Sequence, residues 1–217
     1  MTWQEKHTNK IVSMEEAARQ IKSGDFIGVG LALGSASPAM LDAILNRWKE
    51  LTDVTICDSV PVRPCKLYDL KFMASIDGHV NYRPCFGMMA SRKINESRLP
   101  DFFPLMSSDG GDRYAKWSDV FICQVTPPNA KGFVNLGLTN FYQMDAIRLG
   151  KASGKLRLAI GEVNDQMPVI FGDNWMHASE FDLFVENSAK IPAVKRPEPG
   201  EKEKIIGQHV LDLINDG

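Results

Sequence analysis

Met14-Glu15-Glu16-Ala17-Ala18-Arg19-Gln20-Ile21-Lys22-Ser23-Gly24-Asp25-Phe26-Ile27-Gly28-Val29-Gly30-Leu31-Ala32-Leu33-Gly34-Ser35 reads as a helix, a strand and a glycine-rich turn in direct succession. Ser13 is placed as an N-cap. Glu16, three residues on, completes a capping box ahead of the apolar positions Ala17, Ala18 and Ile21. Asp25–Val29 is a short strand. Ser37-Pro38 then opens a second helix, with Ser as cap and Pro in the first turn, and Met40, Leu41, Ile44, Leu45 and Trp48 form its apolar face. Asp53–Cys57 is the next strand. Strand, helix, strand in that order needs a crossover, which predicts an α/β fold with a mainly parallel sheet and flanking helices.

Downstream, Pro61–Gly111 is less regular. Arg63-Pro64 and Arg83-Pro84 recur, Gly87-Met88-Met89 reads as a turn into a helix, and Ser107–Asp112 reads as a loop. Order returns at Asp119–Val125, apolar but for Asp119 and Gln124 and read as a strand of the kind buried in parallel sheets. A turn at Thr126–Asn129, the segment Gly132–Gly137, a helix over Asn140–Lys151 and a strand over Leu156–Val163 follow. Lys195–Lys204 is charged and proline-broken like a linker. Lys204–Gly217 reads as a helix running into a C-cap glycine. Its Ile214-x-x-Gly217 echoes Ile21-x-x-Gly24, which a strand follows at once. Either two helices share a common ending, or the chain stops where a second copy of the first unit begins.

With 217 residues, 44% hydrophobic and 24% charged, the chain can bury one sizeable core. A net charge of −2 and a pI near 6.1 argue against nucleic acid or an anionic membrane as partner. No apolar run approaches the roughly 18 residues of a spanning helix, and Met1–Lys6 lacks a signal-peptide core, so a cytoplasmic location is expected. Cys57, Cys65, Cys85 and Cys123 have neither zinc-site spacing nor the density of a secreted scaffold, and most read as small buried thiols.

In an open parallel sheet, ligands bind at the carboxyl ends of the strands. Loops 30–37, 58–64, 125–132 and 162–173 fit that description. In the first, Gly30, Gly34 and Ser35 would let the backbone approach a ligand, and free N–H groups at the Ser37 helix start would favour an anion. The alternative is a tight turn and nothing more. Gly28-x-Gly30-x-x-x-Gly34 lacks dinucleotide-fingerprint spacing, and no basic residue makes a P-loop of it. In the last loop, Asn164 stands past a strand end, where its amide could donate to a substrate oxygen or else cap its own turn. Asp173 and His177 suggest a dyad. One His among scattered carboxylates is no zinc site, though, and no G-x-S-x-G elbow completes a triad, so His177, His79 and His209 read as structural and no metal is expected.

Glu162-Val163-Asn164-x-x-Met167-Pro168-x-x-x-Gly172-Asp173, continuing His177-x-Ser179-Glu180-x-Asp182, resembles the N-terminal domain of the 4-hydroxybutyrate CoA-transferase and acetyl-CoA hydrolase/transferase family. Four further segments agree in order. They are Glu16-Ala17-x-x-x-Ile21-Lys22-Ser23-Gly24-Asp25, Gly34-x-x-x-Pro38-x-x-Leu41, Ser118-Asp119-Val120-x-x-x-Gln124-Val125-x-Pro127-Pro128, and Gly132-x-Val134-x-Leu136-Gly137.

The resemblance implies a CoA-transferase-like half of a two-domain fold. Residues 1–195 would form the N-terminal-type domain, and 196–217 a linker and first helix leading into a second domain. It implies ping-pong transfer of CoA between carboxylic acids, with a glutamate on the complementary C-terminal-type half as nucleophile and an oxyanion hole at each tetrahedral step. No residue of this chain is then the nucleophile, and the chain alone would be inactive. Coenzyme A thioester is a substrate, no cofactor is permanently bound, and an oligomer containing the second half is expected. Substrate contacts in this half fall to Leu31, Gly34, Ser35, Asn164, Met167 and Pro168. Members of the family often carry a His near the first strand end and a Glu before the Pro. Leu31-Ala32-Leu33-Gly34-Ser35-Ala36-Ser37-Pro38 has neither, which points to a bulkier or more apolar acyl group than 4-hydroxybutyrate. Two rivals remain: an acyl-CoA hydrolase of the same fold, and a non-catalytic ligand-binding domain. Against the second, the chain has no helix-turn-helix or basic output surface.

Overall fold

Eight apolar segments become strands in the computed structural model, which describes residues 2–215. They are β1 Phe26–Val29, β2 Val54–Asp58, β3 Val80–Pro84, β4 Val120–Val125, β5 Phe133–Asn135, β6 Leu158–Val163, β7 Trp175–His177 and β8 Leu183–Glu186. Six of them pair in parallel in the order β3-β2-β1-β4-β6-β8, while β5 and β7 form a separate antiparallel ribbon. The helices are α1 Trp3–Lys6, α2 Met14–Arg19, α3 Pro38–Leu45, α4 Leu70–Ser75, α5 Arg92–Glu96, α6 Gly110–Trp117, α7 Gln143–Ala152 and α8 Glu201–Leu211.

β4 and β6 are buried along their whole length because helices cover both faces of the sheet. On one face Ile27, Ile56, Ile122 and Ile160 pack with α2, α3 and Leu67; on the other Phe121, Tyr114, Tyr142 and Phe184 form a second core. From β1 the chain winds outward to β2 and β3, and then in the other direction to β4, β6 and β8. The loops after β1 and β4 therefore diverge, which is the switch point where ligands bind in such sheets.

Both edges of this sheet are covered. Beyond β3, Asp101 and Phe103 donate backbone N–H groups to the carbonyls of Tyr82 and Pro84. Beyond β8, Phe184 donates to Lys10 and accepts from Val12. No helix among the described residues is long and apolar enough to cross a membrane.

Four elements lie where the sequence reads as irregular: α4, β3, α5 and α6. Ser107–Asp112, expected as a loop, is a single 3-10 turn that runs into α6. The last helix starts at Glu201 rather than Lys204, because Gly200 takes the extended cap conformation and Glu201 and Glu203 suit the positive first turn. It ends at Leu211, and Gly217, the expected cap, lies outside the described residues.

Candidate functional site

The α3 N-terminus is occupied from within. Ser37 caps α3 by accepting from the Met40 N–H at 3.1 Å, with Pro38 in the first turn as expected. The Ser37 N–H, expected to face an anionic ligand, instead donates to the Glu162 carboxylate at 2.8 Å. Asn187, just past β8, donates its amide to the other Glu162 oxygen at 2.5 Å and to Ser37 Oγ at 3.0 Å. Glu162 is fully buried, and burial pushes its carboxyl above the usual range against these hydrogen bonds and the nearby Arg63 charge. Arg63, from the loop after β2, also donates to the Leu33 carbonyl at 3.3 Å. The hollow shared by Ser35, Pro38 and Arg63 measures about 10 Å³, room for one water at most.

The β1–α3 turn is similarly closed. Ala32 takes φ +48°, a left-handed conformation that costs a residue with a side chain about 1 kcal/mol or more. It turns the chain so that the Ser35 N–H meets the Ala32 carbonyl. Thr139 clamps the turn, accepting from the Gly34 N–H at 2.7 Å and donating to the Leu31 carbonyl at 2.6 Å. A Cβ on Gly34 would stand 2.6 Å from Thr139 Oγ1, so glycine is required by contact. The backbone donors of Gly34 and Ser35, expected to serve an acyl pocket, are thus engaged within the protein.

Asn164 shares this state. It is fully buried, whereas its amide was expected to open on a pocket. Its two amide hydrogens go to Gln124 Oε1 at 3.0 Å and the Ala189 carbonyl at 2.8 Å, and its oxygen accepts from the Gln166 N–H, the turn-capping arrangement. Gln124 in turn donates to the Ser35 carbonyl at 2.8 Å. Ser35 and Asn164 are therefore joined across the sheet end, through a residue that was quoted in a sequence motif but not assigned to the site. Parallel pairing of Gln124 with Glu162 places both on the α3 face. Met167 is buried, and Pro168 is exposed beside Val169, Ile170 and Phe171, the last 92% exposed.

Space is found on the other face. A cavity of about 160 Å³ lies at the carboxyl ends of β1, β2 and β3. Leu31, Val60, Phe86, Leu105 and Phe141 give it apolar walls, and the buried side chains of Ser59, Cys85 and Tyr142 lie on its inner side. Tyr142 donates to Ser59 Oγ at 3.0 Å and stacks on Tyr114 with centroids 4.6 Å apart. A larger hollow of about 320 Å³, lined by Asp53, Asn81 and Arg83 among others, follows the β3 edge away from the switch point. Of the six residues expected to contact substrate, only Leu31 lines the 160 Å³ cavity.

His177 does not pair with Asp173. Its Nδ1 hydrogen-bonds Ser179 Oγ at 2.8 Å as part of a cap on the following turn, while Asp173 accepts from Asn140 through its carbonyl. Among the described residues, no group of three or more His, Cys, Asp or Glu is placed to share a metal ion. Gln124 was quoted within a motif but not as a site residue, and Arg63, Asn187 and Tyr142 were missed by sequence reasoning. Only Arg63 carried a usable signal: a charged residue just past a parallel strand end.

A sequence model described as the acetyl-CoA hydrolase/transferase N-terminal domain matches residues 1–195. The whole chain aligns at 25% identity with 49% of the 4-hydroxybutyrate coenzyme A transferase of Clostridium kluyveri. It aligns at 26% with 48% of the butyryl-CoA:acetate CoA-transferase of Anaerostipes caccae. The fold superposes on RipA from Yersinia pestis with a TM-score of 0.80 at 22% identity, over 100% of this chain and 51% of that one. The chain spans about half the length of the curated relatives it matches.

Proposed function

We propose, since this chain belongs to the acetyl-CoA hydrolase/transferase N-terminal-domain family, that it forms one half of an enzyme moving CoA between carboxylic acids. The observation that carries this reading is the full-length alignment with half of two CoA-transferases. In this reading a glutamate of the complementary half attacks the acyl-CoA carbonyl and expels the CoA thiolate, leaving an acyl-glutamyl anhydride. The thiolate then attacks the glutamyl carbonyl, releasing the first acid and leaving a glutamyl-CoA thioester. The acceptor carboxylate opens that thioester by the reverse steps.

The role of this half is to receive the acyl group and to keep the sheet end rigid. Glu162, near the carboxyl end of β6, is buried and held by two donors, which suits a fixed structural anion rather than a nucleophile. The 160 Å³ cavity is comparable to an engineered apolar cavity of about 150 Å³ that holds benzene, so an acyl group of roughly four to six carbons fits. Its apolar walls favour a chain without a terminal hydroxyl.

The test is a turnover assay with butyryl-CoA as donor and acetate as acceptor. The purified chain is expected to be inactive, and the chain with its complementary half active, with hydroxylamine trapping the acyl-enzyme on that half. Turnover by the chain alone overturns the split-site reading. CoA release without any acceptor acid would instead identify a hydrolase.

A further inference from the structure

Cys57 lies on β2, and Cys85 is the first residue past β3. The Cys85 N–H donates to the Asp58 carbonyl at 2.8 Å, which extends the β2–β3 ladder and holds the two backbones side by side. Their side chains share the face opposite α3, and the two Sγ atoms stand 3.4 Å apart. Cys57 pairs with Arg83, so Cys85 lies diagonally across the two strands, and closing to the about 2.05 Å of a disulfide draws the chain just past β3 towards Cys57. Cys85 also lines the 160 Å³ cavity, whereas Cys57 lies behind it and is fully buried.

We propose that Cys57 and Cys85 are a site of reversible oxidative modification, a dithiol that a hydroperoxide entering the cavity closes to a disulfide. The two sulfurs are not equivalent. A hydrogen bond from Cys57, seconded by the Tyr114 hydroxyl at 3.9 Å, holds the Cys85 thiol below the usual range. The same contact and burial push Cys57 up. The cavity-lining member of the pair therefore carries the better thiolate, as an attacking cysteine must.

In the first step the Cys85 thiolate attacks one peroxide oxygen. The O–O bond breaks, giving Cys85 sulfenic acid and a hydroxide or alkoxide. In the second, Cys57 sulfur attacks Cys85 sulfur, the S–O bond breaks, and the departing hydroxide leaves as water with the Cys57 proton. Two thiols and one hydroperoxide thus become a disulfide, water and an alcohol, or two waters when the oxidant is hydrogen peroxide. The other two thiols lack this arrangement. Cys123 is buried in β4, and Cys65 is pushed up to about 12 by burial. Neither has a second thiol in hydrogen-bond reach among the described residues. Drawing Cys85 towards Cys57 reshapes the cavity wall across from Leu31, so oxidation changes what the cavity accepts. The inference does not depend on the cavity taking an acyl group.

The full chain, reduced and then freed of reductant, is exposed to hydrogen peroxide under native conditions, denatured and alkylated with N-ethylmaleimide. Intact mass should show two of its four thiols blocked and two hydrogens lost, and a proteolytic map should give one linked peptide containing Cys57 and Cys85. Dithiothreitol should restore all four. Cys57→Ser should stop at a dimedone-reactive sulfenic acid on Cys85, and Cys85→Ser should slow peroxide consumption at least about tenfold. Four alkylated thiols after oxidation overturn the proposal, as does a link involving Cys65 or Cys123. Over-oxidation of Cys85 without a link overturns it too. The wild-type masses decide the matter even where a variant folds poorly.

Discussion

Neighbouring residues of one strand end face opposite fates. Asp58 points to the α3 side, where it is fully buried and accepts from Tyr68 at 2.5 Å and Tyr82 at 2.9 Å. Cys57 and Ser59 point to the α6–α7 side, where Ser59 and Cys85 border the 160 Å³ cavity. Glu162, Gln124 and Ser37 belong with Asp58; Tyr114 and Tyr142 belong with Ser59. Both sides carry polar groups at the end where ligands bind, yet on the α3 side the protein meets its own hydrogen-bonding needs and leaves no room. A helix N-terminus at a switch point is thus a ligand site only when no internal carboxylate has taken it.

That contrast predicts where substitutions are felt. Glu162→Ala should cost the most, about 3–5 kcal/mol. It leaves the Ser37 N–H and one Asn187 amide hydrogen unpaired in a buried site, and bonds to a carboxylate are the strong kind. Urea unfolding measures it, and a loss below about 1 kcal/mol would mean that water reaches the α3 terminus.

Asp58→Asn comes next and is read through pH. Burial lifts the Asp58 carboxyl to about 6, against its two tyrosine donors. The folded chain therefore binds this proton more tightly than the unfolded chain. The stability it contributes is complete below about pH 4 and is lost as pH rises through about 6, on the order of 3 kcal/mol in all. Denaturant midpoints between pH 4 and pH 7 should fall in the wild type and flatten in the variant. Glu162 has the same sign, so some slope will persist. Equal slopes in both proteins would place Asp58 in contact with solvent.

Leu31→Phe should do least to stability, within about 1 kcal/mol, because it adds volume to a wall with space in front of it. In the reconstituted two-half enzyme it should raise KM for the longer acyl-CoA donors several-fold while sparing acetyl-CoA. Uniform loss across donors would show that the cavity is not the acyl site.

Much of this was legible in the sequence, and the misses have causes. β1, β2, β4 and β6 are parallel strands covered on both faces, so apolar runs broken by at most two polar residues betray them. β3 is an edge strand that alternates buried and half-buried residues and ends in Arg83-Pro84, which reads as irregular. α6 begins with Gly110-Gly111, a poor local signal. A Cβ on Gly111 would meet Asp145 at 2.6 Å, so glycine there serves the close approach of α7, a fact outside any local window. Leu31 could be placed at the sheet end because it follows a strand, and it lines the 160 Å³ cavity. Asn164 could be placed at the strand end, but the carbonyl of Ala189 that takes up its amide comes from a segment whose path no motif reveals.

The covered edges of the six-stranded sheet have a consequence for assembly. Tyr82 and Pro84 on one side, and Phe184 on the other, already hold the backbone partners that an incoming strand would need. An incoming strand would have to displace Asp101–Phe103 or Lys10–Val12 to pair with these groups, which discourages edge-to-edge joining of this sheet. A partner would instead meet side chains and loops, and Val169, Ile170 and Phe171 are among the exposed apolar residues it could touch. An encounter made that way is reversible contact by contact, and it can be dissected one side chain at a time without disturbing the strands beneath.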